Sequence, residues 1–205
     1  MRRRSSFLLL LGVLAGCGGS GGGHPAAPSR PTGFTVRGDS HTGFSIALPK
    51  SWRSLDRSTA LTAARLRRFA KANSRLRAEL QALAGPHSPI RLIAVDPTGQ
   101  QSFRANMNLI QTRVPKSLSF EQLSKHEATQ IKLVSPVHDM HQATLQLAAG
   151  PALRLTYHVG QSGVVYQYFV KHGSFLYVLT YTTSTAALVR YAKIFEMSAH
   201  TFQLR

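Results

Sequence analysis

The chain has 205 residues, 25 Lys+Arg against 8 Asp+Glu, a net charge of +17 and one Cys. That length allows one domain with extensions, at about 100–200 residues per domain. A single Cys excludes an internal disulfide and a Cys-cluster metal site, and the basic excess excludes a typical acidic cytosolic enzyme and favours an anionic environment.

Residues 1–17 read MRRRSSFLLLLGVLAGC. Arg2, Arg3 and Arg4 form a positive start, Phe7 to Leu14 a short apolar run, and Ala15 and Gly16 a small-residue junction. This is the layout of a secretory signal peptide, and the run falls short of the ~20 residues of a spanning helix. Leu14-Ala15-Gly16-Cys17 resembles the lipobox of bacterial lipoproteins. The resemblance implies cleavage of a signal peptide at 1–16, a lipidated Cys17, and a chain held at the extracytoplasmic face of the cell membrane. Removing three Arg leaves 22 basic against 8 acidic residues, so the basic excess belongs to the mature chain.

With Cys17, residues 18–33 (GGSGGGHPAAPSRPTG) are expected to form a flexible Gly/Ser/Pro tether, 17–33 in all. The folded domain is expected over 34–205. Phe34-Thr35-Val36 and Phe44 to Leu48 alternate as short strands, with Pro49 ending the second. Residues 58–84 are predicted helical and closed by Gly85-Pro86. At ~100° per residue, Leu66, Phe69, Leu76, Leu80 and Leu83 form its core-facing stripe. Strands follow at Ile90–Val95 and Phe103–Val114. Ser119-Phe120-Glu121-Gln122 reads as a capping box opening a helix to about Leu133. A strand over Val134–Leu147, kinked at Pro136, leads into strands at Ala152–Val159, Val164–Lys171 and Ser174–Tyr181. Their short turns make an antiparallel meander. Ser184 is placed as the cap of a last helix running to about Ser198, with Leu188, Ala192 and Phe195 at helical spacing. The fold class is therefore α+β, with helices packed on a mainly antiparallel sheet.

Gly43-Phe44-Ser45-Ile46-Ala47-Leu48-Pro49-Lys50-Ser51-Trp52 resembles the opening of PsbP-like domains, with F-x-I-x-x-P-x-x-W at its centre. The strand around Tyr177-Val178-Leu179-Thr180-Tyr181 and the ending through Phe195 and Ser198 to Phe202 are similar to theirs. The resemblance spans about 34–205. It implies an α/β/α sandwich and relatives that include an extrinsic photosystem II subunit, a Ran-binding protein and bacterial envelope lipoproteins, which share docking onto larger partners. The matching positions are core and turn residues, so no active-site residue carries over.

His138, Asp139 and His141 are the candidate metal ligands, because two His and an Asp lie within four residues. On a regular strand the two His point to opposite faces. No nucleophile elbow, phosphate loop or zinc-protease motif is present, and the eight acids are dispersed. Trp52 and Phe44 are assigned to the core, anchoring the sheet to the first helix. The most concentrated feature is the run of eight cations from Arg53 to Arg77, with Asp56 the only acid among them. Arg67, Arg68, Lys71 and Arg75 gather on the side of helix 58–84 opposite the Leu/Phe stripe. A solvated helix face gains from mixing charge signs at i,i+4, whereas this one accumulates repulsion. The reading is a lipid-anchored, non-catalytic envelope module that meets a protein partner or an anionic surface through this basic face, with no cofactor and no catalytic residue. A small-molecule- or metal-binding accessory lipoprotein and an envelope hydrolase are the alternatives. Nucleic acid fits the charge but not the export signal or the lack of a stacking motif.

Overall fold

The computed structural model describes residues 29–56, 88–98, 104–134 and 136–205. The expected signal peptide, Cys17 and the helix expected at 58–84 lie outside the described residues. Among the described residues, ten strands and two helices run in the order β1 (Phe34–Arg37), β2 (Phe44–Pro49), β3 (Arg53–Asp56), β4 (Ile90–Val95), β5 (Asn106–Arg113), α1 (Phe120–Val134), β6 (Val137–Leu147), β7 (Gly150–Val159), β8 (Gly163–His172), β9 (Phe175–Ser184), α2 (Leu188–His200) and β10 (Gln203–Leu204).

Seven strands form one sheet in the order β3-β4-β5-β9-β8-β7-β6, antiparallel at every pair. The stretch from β6 to β9 is a meander because its β-branched and aromatic runs are separated only by short turns. Between β8 and β9 the register runs His172↔Phe175, which leaves Gly173-Ser174 as a two-residue turn. Gly173 has φ 57, the positive value that such hairpin turns demand and that glycine adopts without strain. A second sheet, β1-β2-β10, has β2 at its centre.

Side chains alternate across the large sheet, so its central strands supply two cores. On the first face Met107, Leu109, Tyr168, Leu179 and Tyr181 pack with Trp52, β2 and Tyr191, Phe195 and Phe202 at the chain end. On the second face Leu153, Leu155, Val165, Phe169, Leu176 and Val178 pack under Leu123 of α1, with Phe120, Ala128 and Ile131 of that helix half-buried beside them. Helices thus cover both faces, which is the expected α+β, α/β/α sandwich. The capping box forms as read: Ser119 N donates to Gln122 Oε1 at 2.9 Å, and Gln122 N donates to Ser119 Oγ at 3.1 Å.

Several boundaries differ from expectation. Val134 belongs to α1 and β6 starts at Val137, because Pro136 has no N–H to give a ladder. The irregularity in β6 is a bulge between His138 and His141 rather than a kink at Pro136. Ser184 is extended but makes no side-chain cap. A 3-10 turn, Thr185–Ala187, intervenes before α2 begins at Leu188. The buried face of α2 is Tyr191, Phe195, Ser198 and Ala199, so Ala192 lies off it. The short strands β3 and β10 carry too few residues for a period-two signal. Trp52 is buried, but its described ring partners are Tyr191 and Phe195 of the last helix, each at 6.4 Å, and Phe44 lies 6.4 Å from Phe202.

Candidate functional site

Asp96 sits just past β4 and is 2% exposed. Its Oδ1 accepts Thr98 N at 2.8 Å and Thr98 Oγ1 at 2.6 Å, and its Oδ2 accepts Tyr191 OH at 2.6 Å. The exposed guanidinium of Arg190 lies 3.7 Å from Oδ2 and over the Tyr191 ring at 5.1 Å. Burial pushes the Asp96 carboxyl up. The hydrogen bonds from Thr98 and Tyr191 and the charge of Arg190 outweigh it and leave the pKa lowered. Burial first, then the bond to Asp96, pushes Tyr191 up to about 12, so it stays the donor. The carboxylate is spent on fastening the β4–β5 turn to α2.

A second polar set stitches β2 to the end of α2. Tyr181 OH donates to Ser198 Oγ at 2.9 Å and Ser198 Oγ donates to the Ala47 carbonyl at 2.7 Å. Ala47 N donates to Thr201 Oγ1 at 2.8 Å, and that hydroxyl donates to the Ser198 carbonyl at 2.6 Å. Ser198 therefore touches neither imidazole nor carboxylate in these bonds, and burial holds the Tyr181 phenol well above its usual range. Arg154 on β7 reaches Glu196 on α2 at 2.8 Å. These buried and half-buried polar groups hold elements together. In the sequence Asp96 is one of the dispersed acids, just past the strand predicted at Ile90–Val95, and nothing local ties it to Tyr191.

The three candidate metal ligands fall at the bulge of β6. From Leu147↔Gly150 to His141↔Thr156 the ladder with β7 is regular, and continued it would set His138 against Val159. One extra residue instead puts His138 against His158. Asp139, inside the bulge, has φ 51, a left-handed value that Asp tolerates better than most residues. Thr156 and His158 are two apart on β7 and share a face. His138 and His141 therefore share that face too, which corrects the expectation of opposite faces. The His138 and His158 rings lie 5.3 Å apart, centroid to centroid. Among the described residues no three His, Cys, Asp or Glu side chains converge as a metal-holding group.

The candidate partner-binding cations Arg67, Arg68, Lys71 and Arg75, and the candidate lipidation residue Cys17, lie outside the described residues. Of the described cations, Lys125 pairs with Glu121 at 2.9 Å on the surface of α1, Arg113 lies over the Phe175 ring at 5.8 Å, and Lys171 Nζ donates to two backbone carbonyls. A hollow of about 90 Å³ beside β2 is lined by Arg30, Val36, Ile46, Thr201, Gln203 and Arg205, among others. Pockets for drug-sized ligands measure about 300–1,000 Å³, so this one suits no more than a small ion or a few waters. No helix among the described residues is long and apolar enough to cross a membrane.

No protein-family model matches the chain, and a search of curated proteins finds no match. Solved structures do. The solution structure of cyanobacterial PsbP (CyanoP) from Synechocystis sp. PCC 6803 is similar at a TM-score of 0.55 and 12% identity, covering 94% of this chain and 99% of that one. The crystal structure of LpqN, involved in cell envelope biogenesis of Mycobacterium tuberculosis, is similar at a TM-score of 0.54 and 11% identity, covering 83% of this chain and 90% of that one. At such identities the likeness is one of fold. The antiparallel sheet with helices on both faces is thus the fold shared with these structures.

Proposed function

We propose that the chain is a lipid-anchored, non-catalytic module of the cell envelope that docks onto a protein partner or an anionic surface through the basic helix 58–84. Cys17 would carry the lipid at the extracytoplasmic face of the membrane, and residues 18–33 would give the domain reach. One observation carries the reading: the mature chain keeps 22 Lys+Arg against 8 Asp+Glu, and eight of the cations lie between Arg53 and Arg77 beside a single acid. The buried polar groups support it by being spent on the framework, as Asp96, Ser198 and Thr201 are. The likeness in fold to LpqN, an envelope-biogenesis protein, suits the setting.

The lipobox route attaches at least two acyl chains, and two signals anchor stably where one chain is marginal. The basic helix then serves orientation and partner choice. Each Lys or Arg near an anionic bilayer contributes about 1 kcal/mol, screened by salt. The test titrates the mature chain, made without its lipid, against anionic vesicles and envelope extract. Binding should weaken steeply with salt. Arg67→Glu with Lys71→Glu and Arg75→Glu should remove it while the circular dichroism spectrum stays unchanged. Equal binding by the reversed protein, or no salt dependence in the native one, overturns the docking face. Mass spectrometry showing an unmodified Cys17 in the mature protein overturns the anchor.

A further inference from the structure

We propose that His138 and His158 form a two-imidazole site for a divalent transition-metal cation on the edge of the large sheet. The inference is independent of the docking face above. It rests on the bulge. Without the extra residue in β6, His138 would stand opposite Val159, with its ring on the half-buried face. With it, two imidazoles face each other across the ladder at 5.3 Å, with ring planes 33° apart. Residues directly opposite in an antiparallel pair are the closest cross-strand neighbours a sheet offers. His141, one pair further along on the same face, is exposed like His138, and His158 is half-buried.

The chemistry follows from the ligand type. Neutral imidazole suits Zn²⁺, Cu²⁺ and Ni²⁺ and is a poor ligand for Mg²⁺ or Ca²⁺. Two nitrogens bound tetrahedrally at about 2.0–2.1 Å from one metal stand about 3.3 Å apart, a separation that rings at this spacing reach by side-chain rotation. Two protein ligands leave the other positions to water or to a group brought by a partner, so the site would exchange its metal readily. Each imidazole must be unprotonated to bind, so acid competes with the metal.

The test uses the mature chain and two probes. Zinc chloride, followed by calorimetry, should bind saturably with one equivalent. Substoichiometric Cu²⁺, which broadens nearby NMR signals, should first affect amides in 137–141 and 156–159. His138→Gln and His158→Gln should each weaken zinc binding about tenfold or more, with circular dichroism unchanged, while His126→Gln on the surface of α1 should leave it as it was. Unchanged affinity in both edge variants, broadening centred elsewhere, or no saturable zinc binding below millimolar concentration would overturn the site.

Discussion

The two faces of the large sheet are built on different principles. The first is aromatic and pinned by directional bonds. Phe195 alone meets Tyr181 at 5.1 Å, Tyr166 at 5.8 Å, Tyr191 at 5.9 Å and Trp52 at 6.4 Å, and buried hydroxyls tie α2 to β2, β4 and β9. The second is mostly aliphatic under α1, crossed by one polar chain in which Tyr157 OH donates to Gln167 Oε1 at 3.0 Å and Gln167 Nε2 donates to Thr180 Oγ1 at 3.1 Å. Burial of apolar surface is non-directional, so the second face can adjust its packing. Hydrogen bonds have geometry, and a buried donor or acceptor left without its partner costs about 1–3 kcal/mol. The first face therefore fixes where α2 sits, and the second mainly keeps α1 attached.

The largest effect should separate the faces at their centres. Phe195→Ala removes a fully buried ring from a rigid aromatic surround and should cost about 3–5 kcal/mol. Leu155→Ala, equally buried on the second face, should cost toward the lower end of about 2–5 kcal/mol, because aliphatic neighbours collapse into the space more readily. Urea unfolding of both variants measures the difference. A larger loss from Leu155→Ala than from Phe195→Ala would break the comparison.

The next effect sharpens it. Tyr191→Phe keeps the ring and strips Asp96 of one donor, so about 1–3 kcal/mol should be lost near neutral pH. The Asp96 carboxyl is held below its ordinary value. Its stabilising contribution is therefore fully present above the unfolded-state pKa, about 3.9. It disappears as pH falls through the lower folded-state value. Tyr191, raised to about 12, works at the other end: its contribution is complete below the ordinary Tyr range and is lost as pH rises through about 12. In Tyr191→Phe the acid-side fall in stability should be shallower, because Asp96 has lost one of the bonds that lower its pKa. An unchanged profile of melting temperature between pH 3 and 7 would show that Asp96 does not hold α2 in place.

What was legible in the sequence follows the same division. The meander β6–β9 could be read because its strands and turns are local, and the buried strand Phe44 to Leu48 because its pattern is contiguous. Asp96 and Tyr191 could not be paired, lying 95 residues apart. Nor could Trp52 be assigned to α2, since period and composition say which side chains are buried but not against what. The histidine pair was hidden for a narrower reason. A single inserted residue reverses the facing of everything before it in β6, and nothing in Val137-His138-Asp139-Met140-His141 announces the insertion. Arg67 and Arg75 lie outside the described residues, so the helix expected for them and its exposed basic face rest on the Leu/Phe stripe and the charge pattern of the sequence.

The smallest effect lies at the start of α1 and tests whether the second face depends on its helix end as the first depends on its buried hydroxyls. Ser119 and Gln122 satisfy two backbone donors reciprocally in an exposed cap. Ser119→Ala removes the side-chain acceptor and leaves Gln122 N to water, which costs about 1 kcal/mol for a typical cap. Water can replace the lost partner here, whereas none reaches Ser198, which is fully buried. Ser198→Ala should therefore cost more than Ser119→Ala, although each removes one hydroxyl. Hydrogen exchange should place the Ser119→Ala loss locally, as faster exchange in the first turn of α1 with β7 and β8 still protected. If exchange instead rose across the whole second face, α1 and its sheet face would unfold as one unit, and the cap would matter to that face as much as the buried hydroxyls matter to the other.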